Sequence, residues 1–480
     1  MFLYVLLGVV AGIVVGVIPG LTATMALALL VPFTFGLAPT KAMAMLMGIY
    51  CGGVYGGSTS SILLRIPGTP SAAATLMDGY PMAQQGRAGK AIITACVSSF
   101  AGGLLGALLM TFLAPQVARF ALRFGPAEYF TLALLALTVV FLLSGRSILK
   151  GIIAMLVGLF ISTVGLDPIS GLPRFTYGTT NLLGGISFLP AIIGLFGFSQ
   201  VFTEISKIDV KPFQKKKITS IFLSREDFAK IKSVLLRSTI MGVLMGILPG
   251  IGGTAACWLG YGEAKRKSKN PEKFGTGIIE GVAAPEAANN ASIGGAMIPM
   301  LSLGIPGDTA TAILLGALTI HGLEPGPLLF RDHINVTYSV FMSMILANIL
   351  MVVVGVAGAK VFAEVVNINK RVLLPLICVC GVIGSYAMRY NLFDVYLSLG
   401  FGVLGYFMYL YEYPIPPLVL AMIMGPMAEQ NLRRTLNISD GSFMVFFTRP
   451  ISLTLILLII IGCYTSITKL REIQRRSPES

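Results

Sequence analysis

The sequence predicts an all-α membrane protein, a polytopic transmembrane helical bundle built from two inverted-topology repeats with broken helices and re-entrant hairpins. Of its 480 residues, 55% are hydrophobic and only 12% are charged, which is typical of an integral membrane protein rather than of a water-soluble domain. Apolar stretches long enough to span a bilayer recur along the chain, for example at 91–113, 338–359 and 451–467. A transmembrane β-barrel would instead show segments of about ten residues with alternating polarity, and the sequence lacks them.

Two motifs that interrupt helices each occur twice in the chain. This duplication predicts that the protein is built from two repeats. Residues 16–24 read Gly-Val-Ile-Pro-Gly-Leu-Thr-Ala-Thr, and residues 246–254 read Gly-Ile-Leu-Pro-Gly-Ile-Gly-Gly-Thr. A pair of glycines followed by Ile-Pro-Gly occurs at 56–68 and again at 294–307. Backbone groups left unpaired by Pro and Gly inside a membrane are tolerated only where they are buried in protein or line a cavity. Such paired interruptions are the best sequence indication of a transporter's binding site.

Charge divides the chain into segments and orients them. Basic residues cluster in linkers between apolar spans, as the positive-inside rule requires, so the net charge of +14 implies no nucleic-acid partner. After the Pro-Gly breaks, residues 263–273 are strongly basic whereas the matching residues 36–41 are nearly uncharged, which favours inverted halves. We predict a first transmembrane repeat at 1–202, a basic cytoplasmic linker at 203–237, a second repeat at 238–430, and a terminal transmembrane helix with a basic tail at 431–480.

The breaks and hairpin tips supply the candidate substrate site. A half-helix that begins at mid-membrane presents unpaired N–H groups and the positive end of its dipole, which suit a carboxylate or phosphate. A single Pro-Gly is more simply explained as a kink or a tight turn, but the duplication favours a binding role. Hydroxyls near the tips either contact a ligand or bond between helices. The candidate substrate-binding residues are Pro19, Gly20, Thr22, Thr24, Ser58, Gly68, Thr69, Gly250, Gly252, Thr254, Gly307 and Thr309.

A second polar cluster provides candidates for the coupling ion. On a helix, Glu286, Asn289 and Asn290 occupy positions i, i+3 and i+4, so one carboxylate and two amides share a face. Their oxygens suit Na⁺, and a buried Glu also suits a proton carrier. Asp308 adds a charge at the start of the second hairpin's short helix. The alternatives are an interhelical hydrogen-bond cluster for the first three residues and a helix N-cap for Asp308.

The sequence also excludes some classes of function. It contains no P-loop, and neither a Ser/His/Asp arrangement nor a metal motif stands out. We therefore expect no enzyme activity and no cofactor, with Na⁺ or H⁺ as the coupling ion and no other metal.

The two repeated motifs and several shorter ones resemble the large membrane subunit of the tripartite tricarboxylate transporter family over nearly the whole chain. The resemblance implies a multi-pass protein of the bacterial inner membrane that imports small carboxylates such as citrate, driven by a cation gradient, commonly Na⁺. It implies two partners, a small four-helix membrane subunit and a periplasmic solute-binding protein. In the family pattern Asn precedes the first Ile-Pro-Gly, where this chain has Arg65. The residues that carry the resemblance are 16–20, 56–58, 66–70, 78–81, 85–86, 249–254, 285–291 and 305–307.

Three other interpretations of the sequence are open. A stand-alone ion-coupled anion symporter would need no delivery protein. A passive anion channel would conduct without saturation or ion coupling. A membrane-embedded enzyme would act on a lipid-linked anion, with Glu286 or Asp308 as its base.

Overall fold

The computed structural model describes residues 1–143, 147–205, 222–250, 252–365 and 370–476, and these are predominantly helical. The predicted all-α membrane class is confirmed. Four of the described helices are long and apolar enough to cross a membrane by length and composition: Ala88–Ala121, Phe188–Ile205, Ile334–Ala357 and Leu392–Leu410. Residues 206–221 of the predicted basic linker lie outside the described residues, as does Ile251 of the second break.

The helices are numbered along the chain. The first part contains α1 (Phe2–Val17), α2 (Ala23–Leu30), α3 (Pro39–Leu64), α4 (Leu76–Gln84), α5 (Ala88–Ala121), α6 (Pro126–Leu143), α7 (Ile148–Ser162), the strands β1 (Gly165–Leu166) and β2 (Pro173–Arg174), α8 (Phe188–Ile192), a π-helical segment (Ile193–Phe198) and α9 (Ser199–Ile205). The second part contains α10 (Arg225–Ile247), α11 (Gly252–Lys267), α12 (Glu280–Leu303), α13 (Thr309–Ile320), α14 (Pro327–Asp332), α15 (Ile334–Ala357), α16 (Ala359–Val365), α17 (Lys370–Ala387), α18 (Leu392–Leu410), α19 (Ile415–Ile438), α20 (Val445–Thr448) and α21 (Pro450–Arg476).

The first of two compact units comprises Met1–Ala118 and Leu189–Tyr406, and it contains both copies of each repeated motif. In it α1 packs along α3, and α10 packs along α12. Glycines make both contacts close: a Cβ at Gly12 would lie 2.8 Å from the Gly53 nitrogen, and a Cβ at Gly246 would lie 2.9 Å from the Gly295 Cα. Small residues at such spacing let helix backbones approach within the membrane, where apolar burial alone drives no association.

The duplicated sequence has a duplicated backbone geometry. Ile18 ends α1 at φ −78° and ψ 120°, and Leu248 ends α10 at φ −80° and ψ 121°. Gly20 and Gly250 follow at φ +91° and +79°, a region that glycine adopts without steric cost. The two breaks therefore share one backbone geometry up to Gly20 and Gly250, and they differ two residues later, where Thr22 has φ −104° and Gly252 has φ +53°. The inverted relation of the halves and their boundaries at 202, 237 and 430 stay predictions.

The ends of the two long helices also match, and the first of them places Arg65 in a backbone conformation that disfavours arginine. Both α3 and α12 end on a left-handed residue, Arg65 at φ 60° and Gly304 at φ 71°. Glycine and asparagine adopt this conformation most readily, whereas for arginine it costs about 1–2 kcal/mol. Arg65 partly offsets that cost by lying over the Tyr80 ring, 5.7 Å from its centroid.

We expect Arg65→Gly to raise the thermal midpoint of unfolding in detergent, because the relieved strain of about 1–2 kcal/mol exceeds a cation–π contact of about 0.5–1 kcal/mol. Arg65→Ala is the matched control. It removes the same ring contact but keeps a Cβ at positive φ, so its midpoint should fall. A lower midpoint for both variants would contradict backbone strain at this position.

The second compact unit comprises Arg119–Phe188 and Phe407–Ser480. Here α6 and α7 pack against α19, and α21 packs against α6. The short hairpin of β1 and β2 is joined to α19 by ion pairs, with Arg174 Nη1 2.6 Å from Glu429 Oε1 and Arg433 Nη1 2.5 Å from Asp167 Oδ2. The backbone N–H of Ser170, the Arg433 guanidinium and a further backbone N–H hold the pKa of Asp167 well below its usual range. The network therefore stays ionised at neutral pH.

Candidate substrate and ion site

The break of the first half lies beside the hairpin of the second half. The Oγ1 atoms of Thr24, at the start of α2, and Thr309, at the start of α13, are 3.4 Å apart. Thr22 caps α2 by accepting a hydrogen bond from the Met25 N–H at 3.1 Å. Two N-termini therefore meet here, each lined with hydroxyls.

The break of the second half lies beside the hairpin of the first half. A Cβ at Gly253, in the first turn of α11, would lie 3.1 Å from the Ser71 Cβ and inside contact distance of Asn289 Oδ1. Ser71 Oγ is in turn 3.1 Å from Thr69 Oγ1. The short 3-10 turn Pro70–Ala72 thus contacts α11, as α13 contacts α2.

Asp308 connects the two places where the break of one half lies beside the hairpin of the other half. The Gly250 N–H donates to the Gly307 carbonyl oxygen at 2.7 Å, and a Cβ at Gly252 would lie 2.9 Å from the Asp308 Cβ. Asp308 itself caps α13 by accepting from the Thr311 N–H at 2.8 Å, which confirms the predicted N-cap geometry. We call the arrangement of the starts of α2, α11 and α13 with the tip Thr69–Ser71 the N-terminal ring.

The N-terminal ring concentrates hydrogen-bond donors and positive dipole ends. The first turns of three helices present N–H groups without intrahelical partners, and each turn contributes partial positive charge. The side chains of Thr24, Ser71, Asp308 and Thr309 are only partly buried. The ring is therefore reachable from outside the protein and chemically suited to an anion.

Asn289, on α12 beside the N-terminal ring, is a buried group without a hydrogen-bond partner. It is 1% exposed, and neither its Oδ1 nor its Nδ2 has a hydrogen-bond partner in the structure. Buried side-chain amides are almost always hydrogen-bonded, because leaving one unpaired costs about 1–3 kcal/mol. An amide that faces Gly253 and Ser71 without a partner therefore indicates a place for a ligand.

Tyr50 contacts the candidate site, although no sequence pattern predicted it. Its hydroxyl on α3 donates to Asp308 Oδ2 across 258 positions of the chain. Tyr50 lies in a glycine-rich stretch of α3, where small residues are typical of close helix packing. A phenol bonded to the capping carboxylate fixes that carboxylate's orientation at the ring.

The three polar residues of α12 are helical as predicted, but their side chains have different neighbours. Glu286 is fully buried; Thr75 Oγ1 donates to its Oε1, and Ser99 Oγ donates to its Oε2 at 2.9 Å. Asn290 Nδ2 donates to the Glu286 carbonyl oxygen at 3.0 Å, and its Oδ1 has no partner. No hydrogen bond joins the side chains of these residues and Asn289 to one another. Glu286 thus lies one helical turn from the ring.

Several other candidates make packing or internal contacts. Ser58 Oγ donates to the Tyr55 carbonyl oxygen of its own helix at 2.7 Å. Gly68 and Gly307 are required by close packing, since a Cβ at Gly68 would lie 2.8 Å from the Gly57 Cα and one at Gly307 2.6 Å from the Gly246 oxygen. The remaining two candidates line the edges of the breaks, Pro19 half-buried and Thr254 exposed. A role for these residues in binding stays a prediction.

Asp78 is a further polar residue whose role sequence reasoning missed. It is fully buried at the first turn of α4 and accepts from the N–H groups of Gly275, Gly277 and Ile278 at 2.8–3.0 Å. The Tyr261 hydroxyl donates to it at 2.9 Å. One carboxylate of the first half therefore holds the loop between α11 and α12 of the second half, and with it the segments that carry Gly253 and Asn289.

Comparison with known proteins identifies the family. A model of the tripartite tricarboxylate transporter TctA family matches residues 2–420. The chain belongs to that family. It is therefore a multi-pass membrane transporter subunit of a tripartite system for carboxylates, and not an enzyme.

Two relatives from Agrobacterium vitis show the same kinship. An uncharacterized 52.8 kDa protein in the TAR-I ttuC' 3'region is 40% identical over 437 residues, covering 91% of this chain and 87% of the relative. An uncharacterized protein in the TAR-II ttuC' 3'region is 38% identical over 215 residues, covering 45% of this chain and 89% of the relative. No solved structure matches the chain.

Proposed function

We propose that this chain is the large subunit of a secondary active transporter that imports small di- or tricarboxylates into a bacterial cell across the inner membrane. It takes substrate from a periplasmic solute-binding protein and works beside a small four-helix membrane subunit. A cation gradient, of Na⁺ or H⁺, supplies the energy.

The observation that carries this proposal is the N-terminal ring with the unpartnered Asn289. A carboxylate leaving water loses strong hydration, and an apolar environment replaces none of it. Three helix N-termini, the hydroxyls of Thr24 and Thr309, and the Asn289 amide offer replacement donors that are already in position. Such prepositioned donors bind a carboxylate without the cost of ordering flexible side chains.

The negative charge of the substrate supports the coupling of transport to a cation. A di- or tricarboxylate brings two or more negative charges to a site where the Asp308 carboxylate already lies. Binding a cation with the substrate lowers the electrostatic cost of moving that charge through the membrane. Asp308, Asn289, Asn290 and Glu286 are the proposed ion-coupling groups.

Transport by proteoliposomes tests the proposal. The purified chain with its membrane partner is reconstituted, and uptake of labelled citrate, malate and succinate is measured with and without the delivery protein and with imposed Na⁺ or pH gradients. We expect saturable uptake of at least one of these acids that depends on a gradient. Saturable uptake without the delivery protein would favour a stand-alone symporter. Uptake that neither saturates nor responds to a gradient would overturn the proposal in favour of a channel.

A further inference from the structure

Glu286 is a carboxyl group in an environment with no compensating charge. It is 0% exposed, and both oxygens accept hydrogen bonds from neutral hydroxyls, Thr75 on the segment before α4 and Ser99 on α5. Among the described side chains, no lysine, arginine or histidine forms an ion pair with it. A buried carboxylate without a cation costs several kcal/mol, so the group either holds a proton or has a cation beside it.

The titratable side chains facing Glu286 are also uncharged. Tyr55 on α3, Cys96 on α5 and Cys257 on α11 interact electrostatically with it, and each is buried. A phenol and two thiols carry no charge near neutral pH. None of these groups therefore neutralises an ionised Glu286.

The charged groups on neighbouring elements are engaged elsewhere. Asp78 of α4 is bonded to loop N–H groups, and Arg237 of α10 pairs with Glu263 of α11, with Nε 3.1 Å from Oε1. Asp308, at the start of α13, is bonded to Tyr50 and to Thr311. None of these side chains neutralises Glu286, so its charge is set by a bound proton or a bound cation.

The hydroxyl partners connect this proton to the N-terminal ring. An ionised Glu286 accepts from both hydroxyls, whereas a protonated one must donate to one of them, so that one hydroxyl must rotate and become the acceptor. Thr75 lies four residues after Ser71, on the segment that carries the tip of the first hairpin. A change of partner at Thr75 therefore acts on the tip that contacts α11.

We infer that the coupling ion is a proton carried by Glu286, and that its arrival and departure are transmitted to the first hairpin tip through Thr75. The proton comes from water on the external side, binds one carboxylate oxygen, and leaves to cytoplasmic water. No other bond forms or breaks. The inference rests on the proposed transport function and names its coupling ion.

Two modes of transport in the same proteoliposomes test it. Exchange of labelled for unlabelled citrate across the membrane needs no net proton movement, whereas net uptake driven by a pH gradient does. We expect Glu286→Gln, a permanent mimic of the protonated state, to keep at least about half of the exchange rate. Its gradient-driven uptake should be at least about tenfold lower than that of the wild type. Glu280→Gln, at the first residue of α12, is the matched control and should keep both.

Two further measurements keep the inference testable if Glu286→Gln does not fold. Thr75→Val removes one donor to the carboxylate and should move the pH midpoint of net uptake upward by about one unit, with Ser99→Ala moving it in the same direction. Infrared difference spectra of the wild-type protein between acid and alkaline pH should contain the C=O stretch of a protonated carboxyl.

Different results would overturn the proton inference and the transport proposal. Gradient-driven uptake that persists in Glu286→Gln, or wild-type uptake that follows Na⁺ and ignores pH, would overturn the proton inference and leave the transport proposal standing. The absence of binding and uptake for every carboxylate tested would overturn the transport proposal itself.

Discussion

Replacing Gly253 with alanine is expected to lower carboxylate uptake by about tenfold or more, equivalent to about 1.4 kcal/mol or more. A Cβ at this position would lie 3.1 Å from the Ser71 Cβ and press on Asn289 Oδ1, so the methyl group occupies the space between the tip of one half and the amide of the other. Uptake and citrate affinity in proteoliposomes measure the effect. The thermal midpoint should fall as well, by the equivalent of about 1–3 kcal/mol, because the methyl group overpacks the buried contact with Asn289.

Gly262→Ala provides the control within the same helix. A Cβ at Gly262 meets nothing within 4 Å, so this substitution adds the same methyl group to α11 without touching the N-terminal ring. We expect wild-type uptake and an equal or slightly higher thermal midpoint. Equal uptake for the two variants would show that the space beside Gly253 is not used by the substrate.

Asp78→Asn is expected to destabilise the protein by about 1–3 kcal/mol, seen as a fall of the thermal midpoint in detergent. The asparagine Oδ1 keeps an acceptor for the N–H groups of Gly275, Gly277 and Ile278. The NH₂ that replaces Oδ2 cannot accept from the Tyr261 hydroxyl, and it faces the Gly275 N–H in a fully buried position. Space for rearrangement is small, because the neighbouring Gly281 would place a Cβ 2.9 Å from the Asp78 Cβ.

Asp332→Asn makes the same chemical change at the surface. Asp332 pairs only with the adjacent Arg331 at 2.7 Å, and both side chains are exposed, so its loss should leave the midpoint close to that of the wild type. A wild-type midpoint for Asp78→Asn as well would show that the loop between α11 and α12 does not depend on this carboxylate.

The repeated breaks were predictable because Pro and Gly act on the local backbone. Pro19-Gly20 and the matching pair at 249–250 dictate where helices end whatever surrounds them, and Asp308 at the start of a short helix is a cap that local chemistry specifies. The helical spacing of Glu286 and Asn289 could likewise be predicted from the sequence. In each of these cases the cause lies within a few residues of the effect.

The contacts between the halves were not predictable in that way. Tyr50 meets Asp308, and Asp78 meets Gly277, across 258 and 199 positions, and no local pattern marks either partner. Periodicity placed Glu286 and Asn289 on one face, yet packing separated their side chains, because α5 covers one and α11 the other. Such pairings depend on how the helices pack together, and local patterns in a single sequence do not predict that packing.

The reciprocal placement of breaks and tips has an evolutionary consequence. Since each half supplies the hairpin that completes the other half's break, neither half contains a whole binding region of its own. An ancestor that had only one half would therefore need a second copy, paired with it about a two-fold axis, to form the same arrangement. In a single polypeptide the two copies can differ, and here the first half supplies Tyr50 whereas the second supplies Glu286 and Asn289.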